Sequence, residues 1–138
     1  MKHLLDNDVF LAAIYRKHVD HTVCRAWLDS AKPSGWGIAS ETYLAAIRLL
    51  MNPSVMGSGT FGARDALAAV ETELSGLYRG TVVMAKKKPD RVVLGKAKGH
   101  RQIMDFWLVQ IARDIDVKLA TRDGGTLSNW PDLTEKVC

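Results

Sequence analysis

GHRQIMDFWLVQIARDIDVKLATRDGG, residues 99–125, is the stretch whose reading decides the fold. Asp105 opens an apolar helix in which Trp107, Leu108 and Ile111 fall at helical spacing and point to the core. Asp123 closes a short apolar strand, VKLAT. An acid at the end of a strand and another on a neighbouring helix is how an open α/β sheet builds a site at the carboxyl edge of its strands. A third acid arrives in HLLDNDVFLA, residues 3–12. There His3-Leu4-Leu5 reads as a short buried strand that ends at Asp6 and turns at once into a helix.

Between these ends the chain alternates strand and helix signals. HVDHTVCRAWLDSA carries Val19, Val23, Ala26, Trp27 and Ala31 at helical spacing, with Asp20 placed to cap it. Pro33-Ser34-Gly35 ends that helix, and Trp36-Gly37-Ile38-Ala39 reads as a second strand. Ser40-Glu41-Thr42 opens another helix that Asn52-Pro53 stops. ARDALAAVETELSGLY is a further amphipathic helix, and Val82-Val83-Met84 a third strand. RVVL, residues 91–94, reads equally as a strand or a helical turn. LSNWPDL reads as a loop with a short edge strand. The pattern predicts one domain over residues 1–138, a three-layer α/β/α fold with a central parallel sheet.

A chain of 138 residues is long enough to bury a core without disulfides or metals, and its 47% hydrophobic content fits a globular protein. Nineteen Lys plus Arg against fifteen Asp plus Glu leave +4, so the distribution of charge matters more than its sum. Cys24 and Cys138 form no CxxC or Cys/His cluster, which argues against a zinc site and for a reducing compartment. With no apolar run of membrane-spanning length and no signal-peptide pattern, a cytoplasmic location away from membranes is expected.

Strands that run parallel bring strand-end acids to one edge, where Asp6, Asp105 and Asp123 would repel one another. A hard divalent cation resolves that conflict. Mg²⁺ typically binds through few carboxylates, completed by waters and substrate phosphates. Each acid alone is equally explained as a cap or turn residue; it is their convergence that points to a metal.

These residues resemble the PIN-domain ribonucleases, and within them the VapC toxins of type II toxin–antitoxin systems. LLDNDVFLA resembles the family's opening motif, while GHRQIMDFWLVQIA and LATRDGG resemble its third and fourth acidic motifs. HVDHTVCRAWLDSA and IRLLMNP resemble intervening segments. The resemblance implies a PIN-like fold and a Mg²⁺- (or Mn²⁺-) dependent endoribonuclease, with Asp6, Asp105 and Asp123 as metal-binding acids. Thr121 matches a hydroxyl residue that precedes the fourth acid. It further implies a VapB-type antitoxin partner, a homodimer, and a structured RNA such as tRNA or rRNA as substrate. Two departures stand out. Asp8 occupies a position where the family has Asn, and so joins the site or only orients it. The second acid's place falls on Tyr43, whereas the nearest acid is Glu41; two residues turn a helix by about 200°, so both cannot face the same way. Either Glu41 reaches the metals from the first turn of its helix, or the three aspartates act without it.

Lys86, Lys87, Lys88, Arg91, Lys96, Lys98 and Arg101 form a basic run leading into the helix of Asp105, a candidate RNA contact because phosphate contacts supply most non-specific nucleic-acid affinity. A solvated loop is the plainer reading of the same run. Gly57-Ser58-Gly59-Thr60-Phe61-Gly62 fits GxGxxG but follows a helix rather than a strand, and reads as a connection between helices. His21 reads as a packing residue. Three rivals remain: a haloacid-dehalogenase-like phosphatase using Asp6, a phospho-accepting receiver domain, and a non-catalytic RNA-binding PIN-like domain.

Overall fold

The sheet has five strands, all parallel: β1 (His3–Leu5), β2 (Trp36–Ala39), β3 (Thr81–Val83), β4 (Lys118–Thr121) and β5 (Thr134–Lys136), in the order β3-β2-β1-β4-β5. The computed structural model describes residues 1–57 and 59–138. The GxGxxG stretch includes Ser58 and so lies partly outside the described residues. From β1 the chain builds outward through β2 to β3, then returns to the other side of β1 to lay down β4 and β5. The topology therefore reverses between β1 and β4, and it is outside that reversal that open α/β sheets form their crevice.

Alternate residues of each strand feed opposite faces. Leu5, Trp36, Ile38 and Ala120 point to one face, beneath α1 (Asn7–Ile14), α2 (His21–Ala31), α3 (Ser40–Leu50), the single turn α4 (Pro53–Met56) and α5 (Ala63–Leu74). Leu4, Ala39 and Leu119 point to the other, beneath α6 (Gln102–Asp114) and the Trp130 that follows α7 (Gly124–Asn129). Both faces are covered, which is why the central strands read as continuous apolar runs. Each fully buried Leu or Phe in these layers contributes about 1.5–3 kcal/mol, and Leu4, Leu5, Phe10, Leu28, Phe106 and Leu119 are among those wholly out of water.

The strand and helix expectations hold, with these corrections. Asp20 sits at the start of α2 but makes no side-chain cap. Asp105 does not open its helix: α6 begins at Gln102, and Asp105 lies within the first turn. Residues expected to form a loop after Asp123 form α7, because the Asp123 carboxylate caps a turn that two glycines would not favour on their own. The last strand lies beyond LSNWPDL, at Thr134–Lys136. RVVL takes neither strand nor α-helix but a turn leading into a 3-10 turn at Leu94–Lys96.

Gly37 marks where β2 and β3 come closest. A Cβ there would stand 2.5 Å from the Thr81 carbonyl oxygen and 2.7 Å from the Met1 sulfur. Only glycine admits that spacing.

Candidate active site at the carboxyl edge of the sheet

Asp6 directly follows β1 and Asp123 follows β4, so the reversal between those strands sets the two carboxylates at one edge. The Asp6 backbone N–H donates to the Ala120 carbonyl at 3.0 Å, extending the β1–β4 ladder to the site itself. Asp6 is only 6% exposed. Its Oδ1 accepts the Val9 N–H at 2.7 Å, capping α1, and its Oδ2 accepts the Thr121 hydroxyl. Asp123 caps α7: its Oδ2 accepts the Thr126 N–H and hydroxyl, at 2.8 and 2.7 Å. Its own N–H donates to Thr121 Oγ1 at 3.1 Å, so Thr121 ties the two acids together. The cap explanation is correct for both residues.

Asp105 comes in from α6, half-buried, and Asp8 from the first turn of α1, exposed. Burial pushes the Asp6 carboxyl up to about 7, against the lowering effect of its bonds from Thr121 and Val9, and the charges of Asp8 and Asp105 push the same way. Asp105 rises to about 6, again through burial first and then through repulsion from Asp123 and Asp8. No hydrogen bond offsets that rise. Asp6 thus feels the charges of Asp8 and Asp105, and Asp105 those of Asp123 and Asp8.

A cleft of about 300 Å³ opens over this edge, lined by Asp6, Asp8, Ala12, Asp20, Cys24, Arg122 and Asp123. Among the described residues, no three His, Cys, Asp or Glu side chains close tightly enough around one point to hold a metal unaided. A divalent cation at this edge would need water or substrate phosphate to complete its coordination. An Asp105 carboxylate raised by burial and then by its acidic neighbours, with no hydrogen bond offsetting the rise, is the observation that suits such a cation.

Glu41 stands apart. It lies in the first turn of α3 and lines a separate hollow with Asn7, Leu44, Ala45, Arg48 and Met104. Its Oε2 accepts from the Trp107 indole N–H and its Oε1 from the Ser40 hydroxyl at 2.7 Å. Burial acts to raise its pKa, but those two bonds outweigh it and hold the carboxyl below the usual range. The repulsion felt by Asp105 comes from Asp123 and Asp8, not from Glu41. Tyr43 packs against the core on the α1-to-α5 face; burial raises its phenol, with the charge of Glu71 on α5 adding to it. Of the two positions only Glu41 lines a hollow that reaches Asn7, the residue after Asp6.

The basic run divides in two. Gln110 holds the Lys88 carbonyl (3.0 Å) and the Asp90 N–H (2.9 Å), and Arg113 pairs with Asp90. Lys86, Lys87, Lys88 and Arg91 are exposed but anchored beside the far half of α6. Five residues of helix, about 7.5 Å, separate Gln110 from Asp105. Lys96 lies over the Trp130 ring, 4.7 Å from its centre. Lys98 and Arg101 flank the start of α6, nearest the acids. His21 does pack, its Nδ1 2.7 Å from the Ala12 carbonyl oxygen. The sequence did not show that Trp107, taken only for core, bonds Glu41, nor that Asp20 and Arg122 line the cleft. Arg122 alone carried a signal, standing between two residues of the acidic motif.

An all-parallel three-layer α/β/α sheet with carboxylates gathered at its switch point defines a PIN-like domain. No protein-family model matches the chain. It is, however, 32% identical over 123 residues to Ribonuclease VapC29 of Mycobacterium tuberculosis (strain ATCC 25618 / H37Rv), covering 88% of this chain and 86% of that protein. Ribonuclease VapC38 of the same strain is 30% identical over 127 residues, 91% of this chain and 87% of its own. Ribonuclease VapC44, again from that strain, is 30% identical over 127 residues, with 89% and 87% covered. The chain belongs to the VapC family of PIN-domain ribonuclease toxins.

Proposed function

We propose that the protein is a Mg²⁺- (or Mn²⁺-) dependent endoribonuclease, the toxin of a VapB–VapC-type pair, acting on a structured RNA such as tRNA or rRNA. The observation that carries the metal chemistry is the gathering of Asp6, Asp8, Asp105 and Asp123 at the β1/β4 reversal, where burial first and then neighbouring carboxylates raise Asp6 to about 7 and Asp105 to about 6. Asp6, Asp105 and Asp123 would hold the cation, with Asp8 as an added anion. A divalent cation bound there lowers the pKa of a water molecule and neutralises charge on the scissile phosphate.

The chain's own part is positioning. Thr121 donates to Asp6 and accepts from the Asp123 N–H, so one hydroxyl sets the spacing of two ligands. Thr126 fixes one oxygen of Asp123 and leaves the other for the cleft. Trp107 and Ser40 keep Glu41 ionised beside the cleft as an accessory acid. Lys98 and Arg101, then the more distant Lys86–Lys88, attract the polyanion. The nucleophile is water; no Ser, Cys or His is required.

The similarity to proteins named as VapC ribonucleases favours this reading over the phosphatase alternative that would use Asp6. Among the described residues no helix is long and apolar enough to cross a membrane. A VapB-type antitoxin and a second copy of the chain are the proposed protein partners, and the cytoplasm the proposed location. The experiment is a melt with and without millimolar Mg²⁺, followed by RNA cleavage under the same conditions. Metal should raise the melting temperature, because a ligand bound only to the folded state stabilises it, and cleavage should need the metal. A metal-independent melt with no cleavage would refute the reading.

A further inference from the structure

Arg122 has no part in the scheme above, yet it lines the same cleft as Asp6, Asp8 and Asp123 and is the one cation among the described residues that do. It stands between Thr121 and Asp123, both bonded into the site, so its backbone is fixed while its side chain, 36% exposed, reaches along the cleft wall. Its charge is felt inside the wall: burial pushes the Cys24 thiol up, and Arg122 opposes that rise. Its partner is Asp20, at 3.7 Å between Nη2 and Oδ1, too long for a hydrogen bond. The Asp20 carboxylate is free for this because it makes no cap bond to its own helix.

A half-exposed ion pair without a hydrogen bond contributes little, about 0–1 kcal/mol. A phosphate offers the guanidinium two parallel charge-assisted bonds, which are stronger and directional. A cleft of carboxylates also lacks what an entering phosphodiester needs on the side away from the metal, a cation that is not itself consumed by the ligands. We propose that Arg122 binds a backbone phosphate of the RNA in this cleft, and that Asp20 holds the guanidinium while the cleft is empty. This rests on the ribonuclease reading. The phosphate displaces Asp20, and Asp20 recovers the guanidinium as product leaves, which limits how tightly the cleaved RNA is retained.

The test uses the full chain with Mg²⁺, the KM and kcat for RNA cleavage, and the salt dependence of binding to a slowly hydrolysed phosphorothioate RNA. Arg122→Gln should raise KM by about ten-fold or more, the effect of losing the charge-assisted pair of bonds, and lower the log–log salt slope by up to about 0.7. Its Mg²⁺-induced melting shift should match wild type. Arg122→Lys should keep the slope but recover only part of the KM, since a point charge lacks the fork. Asp20→Asn should tighten RNA binding, the opposite sign. If Arg122→Gln changes neither slope nor KM while wild type cleaves, the assignment of Arg122 is wrong and the nuclease reading stands. Equal weakening by Asp20→Asn and Arg122→Gln, with a lowered melting temperature in both, would make the pair structural and overturn the proposal. A wild type that neither binds nor cleaves RNA with Mg²⁺ present overturns both.

Discussion

Asp105 is the residue whose chemistry is most exposed to test. Burial raises it first and the charges of Asp123 and Asp8 add to that, so Asp105→Asn should leave the metal-free protein at least as stable as wild type while shrinking the melting shift produced by Mg²⁺. Calorimetry in EDTA and in millimolar Mg²⁺ reads both numbers, and a destabilised metal-free variant would contradict the repulsion. The pH dependence follows with a definite sign. Asp6 and Asp105 hold protons in the folded state up to about 7 and about 6, against an ordinary value of 3.8. Between the ordinary and the raised values the folded state binds more protons than the unfolded one, so their contribution to stability falls as pH rises. The metal-free protein should therefore melt lower at pH 8 than at pH 5, and Mg²⁺ should narrow the gap. A melting temperature that rises over that range in EDTA would count against the shifted pair. At this scale the acids were legible because Asp at a strand end is visible in sequence. Arg122 and Asp20 were not, since an ion pair between residues so far apart in the chain leaves no local pattern.

The elements were legible where apolar runs and stop signals agreed. His3–Leu5, Trp36–Ala39 and the helix after Ser40 follow directly from their residues. α7 did not, because GGTLSN is a weak helix former that forms only once Asp123 caps it and Trp130 packs behind it. The second acid was ambiguous for a related reason: the register fell on Tyr43, and only the packing of α3 shows that this face turns toward α5. Glu41→Gln should lower kcat, whereas Tyr43→Phe should leave it unchanged; single-turnover cleavage separates them. Cleavage retained in full by Glu41→Gln would leave the three aspartates, with Asp8, sufficient. At the β2–β3 junction, Gly37→Ala should cost about 1–3 kcal/mol of stability, the usual penalty of overpacking, because its Cβ would collide with the Thr81 carbonyl. Urea denaturation measures it, and an unchanged midpoint would mean that β3 can shift aside.

Across the whole molecule, a net charge of +4 coexists with an acidic edge because the positive charge lies along the 86–101 segment. The structure refines that segment into an outer group at Lys86–Lys88, anchored by Gln110, and an inner group at Lys98 and Arg101. Replacing Lys86, Lys87 and Lys88 by Ala should flatten the salt dependence of RNA binding, by up to about 0.7 in log–log slope for each phosphate no longer neutralised. An unchanged slope would return them to a solvated loop. The central claim is that Asp6, Asp105 and Asp123 act together on one metal-assisted reaction, and the most direct measurement is single-turnover RNA cleavage with Mg²⁺ by each Asn variant and by the triple variant. Residues that act as a unit are not additive, so each single variant should lose nearly as much activity as all three together, with RNA binding retained. Near-wild-type, metal-dependent cleavage by both Asp6→Asn and Asp123→Asn would contradict the account.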